Sequence, residues 1–254
     1  MKKTLILFAS LLFVMPSMAQ LNNTIAELWQ KYHLTETDTS KARILDDLSS
    51  YYQFINIDSA FILNKEALQL ARKHHHKKLE TDIQFRLSTF FLQIGAAQPA
   101  LEIQFKLLEE SKKNKDLLLE QWLYNNIAMN YSVNLGDLEN AKKYSYLSMQ
   151  IPGWELQKKY CTSTFLNLGD IYTRLSQYDS ARHYLNKAFE LSNSLYGEKD
   201  TDYSSMIKNN FGNLYLKMNQ PEMALLYYRQ SLPYALATNY TDVICESGLG
   251  VARI

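Results

Sequence analysis

Three consecutive histidines, His74, His75 and His76, are the densest group of potential metal ligands in the sequence. On a helix, neighbouring residues point about 100° apart, so the three cannot converge on one ion as residues at i and i+4 do. Arg72, Lys73, Lys77 and Lys78 flank them and repel a cation. The segment reads as a solvated turn, with at most a weak attraction for an anionic surface. No metal signature, glycine-rich phosphate loop, nucleophile elbow or kinase motif set is present. Acidic and hydroxyl residues are plentiful but form no spacing that argues for catalysis. The sequence therefore predicts no enzyme activity, no metal and no cofactor, and it points to binding.

Composition agrees with a helical, folded chain. Apolar residues make up 46% and charged residues 21%, while Gly and Pro number only 8 and 5 in 254, which separates this chain from disordered sequences. The formal net charge is +1, two of its positive charges being Lys2 and Lys3. A near-neutral body lacks the basic footprint of a general nucleic-acid binder. Residues 1–19 read as an export signal: Lys2 and Lys3 form the basic start, Thr4 to Met15 the apolar run, Pro16 the break, and Ser17-Met18-Ala19 the small residues before cleavage at Gln20. The run is shorter than the roughly 20 residues of a membrane span, and no Cys follows for a lipid anchor. The expectation is an exported, periplasmic protein.

What must position any binding residues is a repeated helix pair. In the clearest unit, starting at Thr162, a first helix (A) carries Phe165, Leu168, Gly169 and Tyr172, and a second (B) carries Ala181, Leu185 and Ala188. Each set falls on one stripe of a 3.6-residue helix. Small residues at Gly169, Ala181 and Ala188 let backbones approach, and Tyr172 fills the space left. The next unit repeats the pattern as Phe211, Gly212, Tyr215, Ala224, Tyr228 and Ser231. Upstream, Ile127, Ala128 and Tyr131 lead to Ala141 and Ser148 with one extra residue in the turn. Leu87, Ser88 and Phe91 lead to Ala100, and Leu48, Ser49 and Tyr52 to Ala60 and Ala67 with one residue fewer. Starts at Ala42, Thr81, Gln121, Thr162 and Ser205 are 39 to 43 residues apart.

Turn chemistry supports these boundaries. Asp58-Ser59-Ala60 and Asp179-Ser180-Ala181 place an Asp or Ser cap before a B helix. Pro99 and Pro221 fall in first turns, Gly197 offers a left-handed cap, Pro152-Gly153 separates two units, and Pro233 should bend its helix. Cys161 and Cys245 occupy similar places in units four and six. About four packing layers of 8 to 10 Å therefore separate them, against a limit near 7 Å for a disulfide.

This pattern of a large residue, Leu-Gly or Leu-Ala, Tyr, then Ala, aromatic and Ala resembles the tetratricopeptide repeat over nearly all of the mature chain. The resemblance implies an all-α, right-handed superhelical solenoid of antiparallel helix pairs. The period exceeds the family's usual length of about 34 and the closing Pro is missing, implying helices a turn or two longer. The layout is a signal peptide at 1–19, an N-terminal helix and linker at 20–38, five helix pairs at 39–240, and at 241–254 the first part of a sixth repeat. In that last segment Val251 and Ala252 take the places of Leu168 and Gly169 and the aromatic is missing, so the sequence reads as a fragment or a truncated gene. A dimer covering the open end is the competing reading.

An export signal ahead of long repeats with Asp-Ser-Ala openings is similar to the sensory half of membrane-anchored Bacteroidetes regulators. The implied function is signal transduction through protein–protein or peptide binding in the periplasm, with membrane contact only through a C-terminal continuation. The alternative is a stand-alone periplasmic scaffold without an output domain. In this family the A helices line a concave groove, which places Trp122, Asn125 and Met129 of unit three, Leu166, Asp170 and Arg174 of unit four, and Met206, Asn209, Asn213 and Lys217 of unit five at a partner-binding groove. An Asn amide offers both donor and acceptor and can hold an extended peptide backbone. The 18 tyrosines fall mostly at repeat positions and read as packing residues.

Overall fold

The structure is a computed structural model that describes residues 21–53, 55–156, 158–196, 201–238 and 241–253. The expected export signal at 1–19 and the expected cap Gly197 lie outside the described residues. Helix α1 spans 21–34. It is followed by α2 (Asp38–Tyr52), α3 (Ile57–Lys73), α4 (Lys77–Gln93), α5 (Ala97–Asn114), α6 (Leu117–Asn130), α7 (Leu138–Met149), α8 (Lys158–Arg174), α9 (Tyr178–Tyr196), α10 (Thr201–Lys217), α11 (Pro221–Thr238) and α12 (Thr241–Arg253). A π-helical turn, Tyr131–Leu135, extends α6, and a short 3₁₀ turn, Trp154–Leu156, precedes α8. No strand occurs among the described residues. The fold is all-α, and the chain divides into two compact units, 18–110 and 111–254.

In the unit 18–110, Ala42, Leu45 and Leu48 of α2 meet Leu63, Ala67 and Ala71 of α3, with Ile25 of α1 and Ile83 of α4 closing the core. Two polar contacts seat α1: Trp29 Nε1 donates to the Tyr52 hydroxyl (3.3 Å) and the Tyr32 hydroxyl donates to Glu66 (3.3 Å). In the unit 111–254 the pairs are α6/α7, α8/α9 and α10/α11, followed by α12. Each helix packs on the next, and the A helices α6, α8, α10 and α12 also pack on one another.

The small positions act through close approach. A Cβ on Gly169 would lie 2.4 Å from Leu185 of α9, a fully buried side chain. Tyr228 of α11 is wedged between two helices: a Cβ on Gly212 of α10 would lie 2.5 Å from its ring, and one on Gly250 of α12 would lie 2.4 Å from it. The A-helix tyrosines stack on the B helix of their own pair. Tyr131 lies parallel to Tyr144, Tyr172 to Tyr184 and Tyr215 to Tyr227, with centroids 5.3 to 5.5 Å apart. Each B-helix partner stands three residues after the small Ala that opens its stripe, Ala141, Ala181 or Ala224. Tyr146 links two repeats, its hydroxyl hydrogen-bonded to those of Tyr172 (2.7 Å) and Tyr184 (3.1 Å). Burial and the Tyr146 bond push the Tyr172 phenol up to about 12 and raise Tyr184 further.

Five turns between helices share one geometry, in which a residue at positive φ follows the helix and the next N–H reaches back five residues. His76 N–H bonds to Ala71, Ala96 to Phe91, Asp116 to Ser111, Gln177 to Tyr172 and Gln220 to Tyr215. The left-handed residue is Gly95 once and otherwise His75, Lys115, Ser176 or Asn219, which explains why few glycines mark these turns. The caps differ from the sequence reading. Asn56, not Asp58 or Ser59, caps α3 by accepting from Ser59 N–H (3.0 Å), and Asp58 sits inside the first turn. Asp179 likewise lies inside α9, which begins at Tyr178. There its charge still favours the helix N-terminus. Helix α11 runs through Pro233.

The histidine run is divided among separate tasks. His74 Nε2 and Lys73 Nζ both contact Asp38 Oδ2 (2.8 and 2.9 Å), His75 takes the left-handed turn, and His76 Nδ1 accepts from Leu79 N–H at the start of α4. Lys73 and His74 hold the Asp38 carboxyl down at about 2. Arg72 pairs with Glu80, Lys77 with Glu110 and Lys78 with Asp82, so the basic run is matched by acids.

The wedge at Tyr228 makes a contrast testable. Gly212→Ala should destabilise by about 1–2 kcal/mol, because overpacking a rigid buried ring outweighs the helix propensity of Ala. Gly248→Ala, with nothing within 4 Å of the new Cβ, should instead stabilise by up to about 1 kcal/mol. Urea titrations of both variants check this, and equal effects would sink the wedge.

Candidate functional site

Successive A helices are held together by polar brackets at one register, three residues before the small position. In the unit 18–110, Asp46 of α2 takes a two-pronged contact from Arg86 of α4 (2.7 and 3.1 Å). In the unit 111–254, Asn125 of α6 accepts from Thr164 Oγ1 of α8 (2.8 Å) and donates to the Tyr160 carbonyl (3.4 Å). Asn209 of α10 accepts from Ser247 Oγ (2.7 Å) and donates to Glu246 of α12. Leu166 occupies this register in α8 and joins the apolar core.

Three residues expected at the groove are therefore corrected. Asn125 (7% exposed), Leu166 (6%) and Asn209 (2%) are buried between helices. The reason is angular. Three residues before a position facing the B helix, a side chain has turned only about 60° away from it, toward the next A helix. The other seven stand on more open backbone. Trp122, Met129, Asp170, Met206 and Asn213 are half-buried, and Arg174 and Lys217 are exposed. Trp122 packs edge-on against Tyr160 at 4.9 Å, Met206 lies against the core, and Asn213 Oδ1 accepts from the Tyr228 hydroxyl at 2.6 Å.

One residue further along, two before the small position and about 200° from it, a side chain points almost directly away from the B helices. An asparagine stands there in all three repeats of this unit: Asn126, Asn167 and Asn210, each half-buried. Asn126 donates to the Trp122 carbonyl (2.9 Å) and Asn167 to the Asn125 carbonyl (3.3 Å). Both bonds use the amide nitrogen, the first within α6 and the second from α8 across to α6. The sequence reading missed this row, although the Asn-Asn pairs at 125–126 and 209–210 carried the signal.

Beside the row lies the charged part of the face. Arg174 Nη1 donates to the Ser132 carbonyl (2.6 Å) and to Ser132 Oγ (2.7 Å). Ser132 Oγ in turn donates to Asp170 Oδ2 (3.3 Å), and Arg174 Nη1 stands 3.8 Å from the same oxygen. Burial raises the Asp170 carboxyl, opposed by Arg174 and Ser132. Cys161 is buried, donates to the Trp154 carbonyl (3.0 Å) and is pushed up to about 11 by desolvation, while Cys245 is an exposed free thiol. Among the described residues no group of three His, Cys, Asp or Glu could hold a metal ion, and no helix is long and apolar enough to cross a membrane.

The sequence pattern of the tetratricopeptide repeat matches residues 123–151 and 160–237, the stretches that contain the stacked tyrosine pairs. Those two stretches carry tetratricopeptide repeats. Solved structures share the architecture. A Rap protein complexed with Competence and Sporulation Factor superposes with a TM-score of 0.65 at 15% identity, covering 93% of this chain and 72% of that one. BtubC (BKLC) from P. vanneervenii gives 0.59 at 20% identity over 89% and 92%. TTC0263, a thermophilic tetratricopeptide protein in Thermus thermophilus, gives 0.56 at 19% over 80% and 99%. At such identities the likeness shows the fold alone. No curated protein sequence matches the chain.

The raised Asp170 carboxyl has a defined sign. The folded state holds this proton more tightly than the unfolded chain, so stability falls as pH rises from about 4 through the raised value and stays lower above it. Asp170→Asn cannot titrate there. Its Tm relative to the unaltered protein should therefore climb across that window. Melting curves from pH 4 to 8 test it, and a relative Tm that falls with pH would reverse the assignment.

Proposed function

We propose that this chain is an exported binding module that holds an extended peptide or protein segment along the open face of α6, α8 and α10. The observation that carries this reading is the row Asn126, Asn167 and Asn210. A helices packed about 8–10 Å apart set successive amides about three residues of extended chain apart, each able to donate to a carbonyl and accept from an N–H. Trp122, Met129 and Met206 supply adaptable apolar contact between them. The Rap protein of similar fold is complexed with Competence and Sporulation Factor, which supports a binding role for this fold. The basic, apolar and small segments of residues 1–19 support export. The resemblance to exported regulators supports a sensing role in the periplasm, as part of a membrane-anchored regulator.

Selection of decapeptides from a random phage library against the immobilised protein tests the face. Binders should emerge, and Asn167→Ala with Asn210→Ala should weaken them about tenfold or more while leaving the helical circular dichroism unchanged. Binders indifferent to both changes would move the site elsewhere. Mass spectrometry of the protein from a periplasmic fraction should give Gln20 as the first residue, and recovery of the chain with Met1 intact in the cytoplasm would end the export reading.

A further inference from the structure

The one extra residue of the third repeat, counted from Tyr131 to Ala141, is absorbed as the π-helical turn Tyr131–Leu135. Such turns rearrange the backbone hydrogen-bond ladder. Here the N–H groups of Gly136 and Asp137 both return to the Tyr131 carbonyl. The Ser132 carbonyl is the oxygen that Arg174 Nη1 takes at 2.6 Å. Among the described residues, all polar contacts of Arg174 use Nη1. Its opposite edge, Nε with Nη2, makes none of them, and a third of the side chain is accessible.

We infer that the π turn is a specificity element of the open face: it fixes Arg174 so that its Nε–Nη2 edge receives a carboxylate of the bound segment. That edge is the planar two-donor fork that matches a carboxylate, and anchoring through Nη1 removes much of the rotamer freedom a surface arginine would lose on binding. Asp170 lies on the Nη1 side, hydrogen-bonded by Ser132 and 3.8 Å from Nη1, so it does not occupy the fork. The equivalent position, five residues after the small one, is Val133 in α6's extension and Lys217 in α10. Neither presents a fork, so the acidic group is read at one repeat.

This inference rests on the open face being the binding face, and the experiment separates the two. Decapeptides selected on the protein are resynthesised with each Asp or Glu exchanged for Asn or Gln, and with the C-terminus free or amidated. Their dissociation constants are then measured by fluorescence anisotropy. One carboxylate per peptide should matter, its neutralisation weakening binding about tenfold or more. The exchange series assigns it to a side chain and the amidated series to a chain end. Arg174→Met should abolish that difference, Arg174→Lys should recover only part of it, and Asp170→Asn should tighten acidic binders. Deletion of Val133, which restores the standard spacing, should reduce the discrimination with the fold intact by circular dichroism. Binders without any acidic requirement, or an acidic requirement that survives Arg174→Met, would overturn the inference while leaving the binding face in place. Absence of any peptide binder would overturn both.

Discussion

The contact on which the rest depends is the close approach of each A helix to its B helix at a position without bulk. At Gly169 the neighbour is Leu185, and at Gly212 it is Tyr228, which Gly250 also meets from the next helix. Backbone proximity there fixes which side of the A helix is consumed by packing. Every other assignment around that helix follows from rotation at about 100° per residue. Three residues back lies the bracket to the next A helix, and two residues back lies the open face. A bulkier residue at the small position would change the separation of the helices and with it the register of brackets and asparagines.

The brackets use different chemistry for the same task. Asp46 with Arg86 is an ion pair, Asn125 with Thr164 and Asn209 with Ser247 are neutral, and Leu166 is apolar. What these share is position rather than residue type. Buried polar groups at this register carry a desolvation penalty unless paired, so each polar residue has acquired a partner on the following A helix. Their side chains are thereby withdrawn from solvent. The stacked pairs Tyr131 with Tyr144, Tyr172 with Tyr184 and Tyr215 with Tyr227 similarly withdraw one ring face each, which makes these tyrosines structural rather than a stacking platform.

The irregular repeat shows how a local departure is converted into chemistry. One surplus residue cannot fit the shared turn, so it widens the end of α6 into a π turn. That presents the Ser132 carbonyl to Arg174 and draws Asp170 into the same cluster. At the corresponding position of α10, Lys217 is exposed.

Sequence by itself determined the all-helical architecture, because a stripe of small and aromatic residues at 3.6-residue spacing can be buried only by pairing helices. It also showed where the surplus residue lies and that the histidines cannot share an ion. It did not separate Asn125 from Asn126, or Asn209 from Asn210, since adjacent residues of one type look alike until the helix is rotated against its neighbours. Nor did it reveal the Arg174, Ser132 and Asp170 cluster, in which Ser132 lies 42 and 38 residues from the other two and meets them only when α8 packs beside α6. Periodicity is a property of one helix and is written locally. Which face remains open depends on where the next helix lies, and only the tertiary structure decided that.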